Sequence, residues 1–397
     1  HYNIRKNRNM CTQDIYKDHE EEEKMSKSML YIYTHNGYND AFLKKDVGMV
    51  PSVMLNGGKV DSLIYCKEKK GKAVFNNLEI YFTGCGWFIS NFKAILFLCR
   101  NAIFNRHLDL LIFHLSLRNI VPVLTYKLLF KGELICKMDL NTESAIEYSD
   151  KSHKINGIKK KLIRMIISRT DQFYVETIRN YNIINKGIFD VPISGKLKLM
   201  PNGVDAKLVR EVIKTEGPDV FKENTITIIS RHACEAKAPN RIFDVIDVMS
   251  ELKLNNWTLQ ILGYFPTIFT DALRIRALEC GVNIICDGYN LELYDVYKRL
   301  FKSKMFICLS LQESYCISLV EAAVFNNHII STNVGVAEDL SLKYGNIKII
   351  ENYSKNLLSK TIEKTIKNDI KIKKASISDR MLDSYSWDNI ITGVMSE

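Results

Sequence analysis

Short apolar runs alternate along this chain with longer segments whose apolar residues recur at helical spacing. "MLYIYT" (29–34) reads as a buried strand and "DSLIYC" (61–66) as the next. Between them, "KKDVGMVPSVMLNGG" reads as a glycine-containing loop, a short helix and a turn. "LDLLIFHL" (108–115), "GELICKMDL" (132–140) and "DQFYVET" (171–177) are further short apolar runs, and helix-like patterns such as "SDKSHKINGIKKKLIRMIISR" separate them. After "KLMPNGVD" the pattern restarts. "ITIIS", "WTLQILG", "NIICDG", "MFICLS" and "HIISTN" read as strands, and "NRIFDVIDVMSELK" and "LYDVYKRLFKSK" as helices between them. The tail "LDSYSWDNIITGVMSE" reads as one final helix. Strands alternating with helices predict parallel, doubly wound α/β sheets. The restart predicts two such domains, over 29–198 and 199–375, with a mobile polar extension at 1–28 and a closing helix at 376–397.

Composition changes this picture little. The chain has 397 residues, 46% apolar and 25% charged, the balance of an ordinary globular protein. No uncharged apolar run approaches the ~18 residues of a membrane span. The least polar window, Trp87 to Phe104, is interrupted by Lys93 and Arg100. The first 28 residues lack the apolar core of a secretory signal. Ten cysteines occur without a C-x-x-C pair, the usage of a reduced, cytoplasmic protein with no zinc knuckle. Charge is more informative. The net +10 sits entirely in the first 200 residues, where 31 Lys/Arg face 20 Asp/Glu. An anionic partner for that half follows: nucleic acid, a membrane surface or a phosphorylated lipid.

In sheets of this kind ligands bind beyond the carboxyl ends of the strands, and several candidate residues fall there. Glu313 and Glu321 stand eight positions apart in "QESYCISLVEAAVF". Glu321 opens a helical run, where free N–H groups and the helix dipole suit a phosphate. A carboxylate there suits ribose hydroxyls. By spacing alone, a helix-start carboxylate and a solvated loop carboxylate are the simpler account of both. "ISRHACEAKAPN" sets Arg231 and Lys237 on one strand-end loop, as a pair for a diphosphate or as two surface cations. His114 ends an apolar strand, as a core residue or a cleft residue. Gly48 stands at a loop-to-helix junction, as a turn glycine or a place where a ligand nears the backbone. Residues 151–169 carry seven Lys/Arg and no acid. That segment and the aromatic stretch "WFISNFKAILFLCRNAIFNRH" read either as helices against a sheet or as faces for an anionic membrane.

Together these features resemble the family-4 retaining glycosyltransferases of the GT-B fold, over nearly the whole chain from Met29. The most specific part is "ESYCISLVEA" followed by "FNNHIISTNVG", against a family pattern E-G-F-G-L-P-L-L-E-A, a small-residue turn and a "PVI" strand. "MPNGVD" matches the family's linker, "SRHACEAK" its Arg and Lys loop, "LDLLIFHLS" the strand ending in a donor-facing His, and "YSWDNI" the closing helix. The resemblance implies two facing Rossmann-like domains, the last helix crossing back to the first. It implies that Glu321 binds a ribose, Glu313 the donor-sugar hydroxyls, and Arg231 and Lys237 the diphosphate. Backbone N–H groups along Ser314, Tyr315, Cys316, Ile317 and Leu319 would approach the sugar and diphosphate. His114 would touch the sugar at the reacting centre, and Gly48 would line the diphosphate from the opposite domain. His114, Arg231, Lys237 and Glu313 are the expected catalytic set.

Three departures stand out. Cys316 replaces a family glycine, "FNNH" replaces a glycine turn, and Tyr264–Phe265 follow "ILG" where a second glycine is usual. The activity implied is transfer of a sugar from a nucleotide-diphosphate sugar, UDP first, to a saccharide or polyprenyl-linked saccharide acceptor in surface polysaccharide synthesis. No cofactor or metal is expected: no D-x-D motif occurs, and the two cations take its place. The expected location is cytoplasmic, peripheral on the inner face of the membrane, with no nucleic acid partner. The rival readings are a GT-B epimerase, a phosphorylase (no clear cofactor lysine is seen) and a catalytically silent glycan- or nucleic-acid-binding protein.

Overall fold

In a computed structural model of the chain, the structure describes residues 28–35, 38, 40–55, 59–150, 157–217, 219–231, 235–287, 291–368 and 374–396. The polar extension falls outside these apart from Ser28, as do 151–156 of the basic segment and 232–234 of the Arg231–Lys237 loop. Strands β1 (Met29–Tyr33), β2 (Val60–Ile64), β3 (Lys70–Phe75), β4 (Leu78–Thr83), β5 (Asp109–Phe113), β6 (Leu134–Lys137), β7 (Gln172–Val175) and β8 (Leu197–Leu199) belong to an eight-stranded sheet. Strands β9 (Glu223–Ile229), β10 (Thr258–Leu262), β11 (Asn283–Asp287), β12 (Ser303–Cys308), β13 (His328–Thr332) and β14 (Ile347–Ile350) form a six-stranded one. Helices separate most of the strands. These are the two Rossmann-like sheets of the GT-B fold.

The chain divides into two compact units, residues 1–112 with 118–134 and residues 113–117 with 135–397. In the first, β1 pairs in parallel with both β2 and β5, Met29 lying opposite Val60 and Asp109. All five β1 residues are buried, so the strand reads as a continuous apolar run, as a parallel strand covered on both faces must. The periodicity missed β3 and β4, an antiparallel hairpin. β3 is largely exposed and carries lysines, so it shows no apolar run. Its signal is the turn: Asn76 and Asn77 have φ of +46° and +66°, the left-handed pair that a two-residue hairpin needs and asparagine tolerates.

In the second unit β6, β7 and β8 run parallel. The six-stranded sheet has the order β11-β10-β9-β12-β13-β14, every pair parallel. Ile226, Leu259, Met305 and Ile330 from its strands share one core with Val245, Met249 and Leu273 from its helices. Burial of that apolar surface, about 25 cal/mol per Å², stabilises the layer.

The tail forms two helices, Asp379–Tyr385 and Trp387–Ser396, where one was expected. Ser386 between them is extended and bridges in parallel to Val204 of the "MPNGVD" segment. The Val204 N–H donates to Tyr385 O at 2.7 Å, and the Trp387 N–H to Val204 O at 3.2 Å. Backbone bonds to a distant strand segment thus break the helix. A Cβ on Gly203 would lie 2.9 Å from the Trp387 ring, so that glycine admits the indole. Among the described residues no helix is long and apolar enough to cross a membrane.

Candidate functional site

β9 and β12 are parallel neighbours, so the loops that follow them leave the same edge of the sheet. Those loops are tied together. The Leu311 and Gln312 N–H groups both donate to the Ala236 carbonyl, at 2.7 and 3.1 Å. Lys237, ending a short 3-10 turn after β9, therefore sits against the loop after β12. Its ammonium binds both carboxylate oxygens of Glu313, and the Ser310 hydroxyl donates to the same carboxylate at 2.8 Å. The Glu313 side chain is 9% exposed and that of Lys237 21%. Burial opposes the Lys237 ammonium, but the Glu313 carboxylate and, behind it, the Cys316 sulfur outweigh it and raise the lysine pKa. Arg231 lies on the same strand-end loop and is exposed.

Cys316 immediately precedes the helix Ile317–Val324, with φ +65° and ψ +65°. The backbone there keeps the left-handed conformation that favours the glycine of the family pattern, at a cost of about 1–3 kcal/mol for a larger residue. The Leu319 N–H is already bonded to the Cys316 carbonyl at 3.0 Å, so the amides of Ile317 and Ser318 are the ones a helix start leaves without an intrahelical acceptor. Tyr315 is buried. Its carbonyl accepts the Val336 N–H at 2.8 Å, and a Cβ on Gly335 (φ +53°) would come within 2.2 Å of it. A side chain at 335 would push the 313–316 loop out of place. The "FNNH" turn uses Asn326 at φ +57°, where asparagine substitutes for glycine. Phe265 stacks on Phe269, ring centroids 5.6 Å apart, while Tyr264 is exposed.

Glu321, expected to open the helix, lies instead past the first turn of the Ile317–Val324 helix, because the helix begins four residues earlier, and it is buried at 6% exposure. The Tyr297 hydroxyl hydrogen-bonds to it; burial and then the Glu321 charge hold that phenol well above its usual pKa. His114 follows β5 at φ +61°, an uncommon conformation for a non-glycine residue that often marks functional positions. Its N–H donates to the Lys137 carbonyl at 2.8 Å. The bonds that build the Lys237–Glu313 cluster do not include it. Gly48 belongs to the first unit, inside the helix Asp46–Met54. This chain's own Leu43 backbone occupies the space of its missing side chain, 2.2 Å from a Cβ.

Sequence reasoning missed Ser310, Tyr297 and Cys308. Ser310 stands two residues past the "MFIC" strand and was legible as a strand-end hydroxyl. Tyr297 was indistinguishable from any apolar-face residue of its helix. Cys308 lay inside an apolar run, where a thiol reads as a small hydrophobe.

Residues 214–380 match the family described as glycosyl transferases group 1. Compared with curated protein sequences, the chain matches none. Among solved structures it is similar to sucrose-phosphate synthase from Thermosynechococcus elongatus, at 10% identity and TM-score 0.65, covering 93% of this chain and 98% of that one. It is similar to the apo lipopolysaccharide outer core galactosyltransferase WaaB at 13% identity and TM-score 0.63, with the same coverage. It is also similar to Anabaena HepE in complex with UDP and glucose, at 12% identity and TM-score 0.61, again over 93% and 98%. The chain thus has a GT-B fold, and its residues 214–380 match the glycosyl transferases group 1.

Proposed function

We propose that the chain is a retaining, family-4 glycosyltransferase that moves a sugar from a UDP-sugar to a lipid-linked saccharide, at a membrane surface and in surface-glycan synthesis. The observation that carries the donor half is the Lys237–Glu313–Ser310 cluster beside the start of the Ile317–Val324 helix. Glu313 is held before any ligand arrives, so sugar hydroxyls meet an oriented acceptor. Arg231, Lys237 and the first-turn amides supply positive potential for a diphosphate. Breaking the bond from the anomeric carbon to the diphosphate builds negative charge on the leaving oxygen. Preorganised cations stabilise that charge more than the ground state, with no divalent metal in this reading. The acceptor hydroxyl attacks from the face the diphosphate leaves and passes its proton to a leaving phosphate oxygen, which retains the configuration. Glu321, oriented by Tyr297, accepts the ribose hydroxyls. The UDP in the HepE structure supports the choice of base.

The helix Trp87–Phe104 supports the acceptor half. Phe88, Phe92, Ile103 and Phe104 on it are 83%, 60%, 82% and 80% exposed, and its charges, Lys93 and Arg100, are both basic. A groove of about 520 Å³ has apolar walls that include Leu63, Leu96 and Phe104, and three cations, Lys59, Lys93 and Arg100, outnumber its two acids, Asp61 and Glu79. Apolar walls with cations suit an amphiphile carrying an anionic head.

A thermal-shift screen with UDP, GDP, ADP and CMP sugars tests the donor half. A UDP-sugar at a hundred times its Kd is expected to stabilise the protein by about 2.7 kcal/mol. If no nucleotide sugar moves the midpoint, the donor reading fails. For the acceptor half, sedimentation with vesicles containing phosphatidylserine is expected to fall as salt rises and to drop in Phe88→Ser/Phe92→Ser. Equal sedimentation with neutral phosphatidylcholine vesicles overturns the membrane reading.

A further inference from the structure

The Cys308 and Cys316 sulfurs lie 3.6 Å apart, both residues buried. With a Glu313 carboxylate oxygen they form a triad whose atoms all lie within 4.8 Å of one another. A disulfide needs about 2.05 Å between sulfurs, so the pair stands well short of a bond. Two thiolates at about 2.3 Å from a tetrahedral zinc ion are about 3.8 Å apart, the edge of the tetrahedron. The observed spacing is that of two ligands on one metal.

We infer that Cys308, Cys316 and Glu313 form a site for a thiophilic divalent cation of the zinc class, and that its occupancy excludes the nucleotide sugar. Thiolates are soft ligands and select such a cation over magnesium or calcium. Binding replaces two thiol protons, released to solvent, with two metal–sulfur bonds. The Glu313 carboxylate supplies the third bond, and a water the fourth. The cation displaces the Lys237 ammonium from Glu313, because both positive charges need the same oxygens. Exclusion of the donor rests on the reading of Glu313 given above; the metal site itself does not.

The test uses the reduced full chain with Cd²⁺ as probe, read by the ultraviolet thiolate-to-cadmium charge-transfer band in competition with a chromophoric chelator. Wild type is expected to hold one tight equivalent that Cys308→Ala lacks. The affinity loss should exceed the roughly 10- to 100-fold that loss of an outer-shell partner costs. Cys308→Ser, closer in volume, should lose the same band, and both variants should unfold cooperatively without metal. Equal tight binding by wild type and Cys308→Ala overturns the site. Zn²⁺ should then weaken UDP-sugar binding in wild type, reversed by a chelator, and leave Cys308→Ala unaffected. Zn²⁺ that binds without weakening the donor overturns the exclusion and leaves the site standing. A chain that binds cadmium but no nucleotide sugar, even after chelation, locates the failure in the donor reading.

Discussion

Lys237→Ala is expected to lower turnover of the nucleotide sugar by about 10²- to 10³-fold, the loss that follows removal of one preorganised stabiliser of developing charge. Two effects must be separated. Removing the ammonium takes away charge aimed at the leaving diphosphate. It also leaves Glu313, 9% exposed at its side chain, with the Ser310 hydroxyl but no cation. Breaking a fully buried pair costs about 3–5 kcal/mol. Lys237 is 21% exposed, so water reaches the site and the stability loss should be smaller. The double variant Lys237→Met/Glu313→Gln removes both charges and should recover the unfolding midpoint without recovering activity. Lys237→Arg keeps the charge, and its planar fork can pair with both Glu313 oxygens, so it should recover much of the unfolding midpoint; its charge is spread over a larger group than the compact ammonium, so turnover should stay low. Wild-type turnover in Lys237→Ala, measured with the donor that the thermal-shift screen selects, would sink the assignment.

The second large effect concerns stability. Lys137 and Glu176 form an ion pair at 2.7 Å with side-chain exposures of 0% and 1%. Asn202 joins both: Lys137 donates to its Oδ1 at 2.8 Å, and its Nδ2 donates to Glu176 Oε1 at 2.9 Å. The Lys137 ammonium also lies 6.0 Å from the centroid of the Phe113 ring. The trio ties β6, the end of β7 and the "MPNGVD" segment, next to His114, whose N–H bonds the Lys137 carbonyl. Lys137→Met is expected to cost about 3–5 kcal/mol, because it strands a buried carboxylate. Lys137→Met/Glu176→Leu should return most of that, since a buried pair traded for apolar residues of similar volume is often neutral. Urea unfolding midpoints read both. A loss below about 1 kcal/mol in Lys137→Met, the range of an exposed pair, would show that the pair is solvated in solution.

Legibility followed range. The strands β1, β9, β10, β12 and β13 were visible because each holds a short cluster of apolar, often β-branched residues, as a strand covered on both faces requires. The antiparallel hairpin was hidden because its outer strand is exposed and lysine-bearing. β8 is three residues long, too short to show a period, and β14, four residues long, is interrupted by the exposed Lys348. The tail read as one helix because Leu382 and Tyr385, then Trp387, Ile391 and Val394, recur three or four residues apart. What breaks it at Ser386 is a backbone bridge to Val204, 182 residues earlier.

The resemblance of its motifs implied the two-sheet GT-B architecture; by itself, the sequence determined the alternation of strands and helices and the positions of Arg231, Lys237 and Glu313 beyond strand ends. Those are local properties, written in spacing over a few residues. Tertiary structure alone decided that Lys237 and Glu313, 76 residues apart, share one ion pair, that Cys308 and Cys316 face each other at 3.6 Å, and that Glu321 is bound by Tyr297. It also decided why Cys316 is tolerated: the loop keeps a glycine's backbone and buries the sulfur against a second one. The physical reason is that side-chain contacts depend on which strands lie side by side. That order, β9 beside β12 rather than β11, is set by the packing of the whole sheet and not by any stretch of the chain.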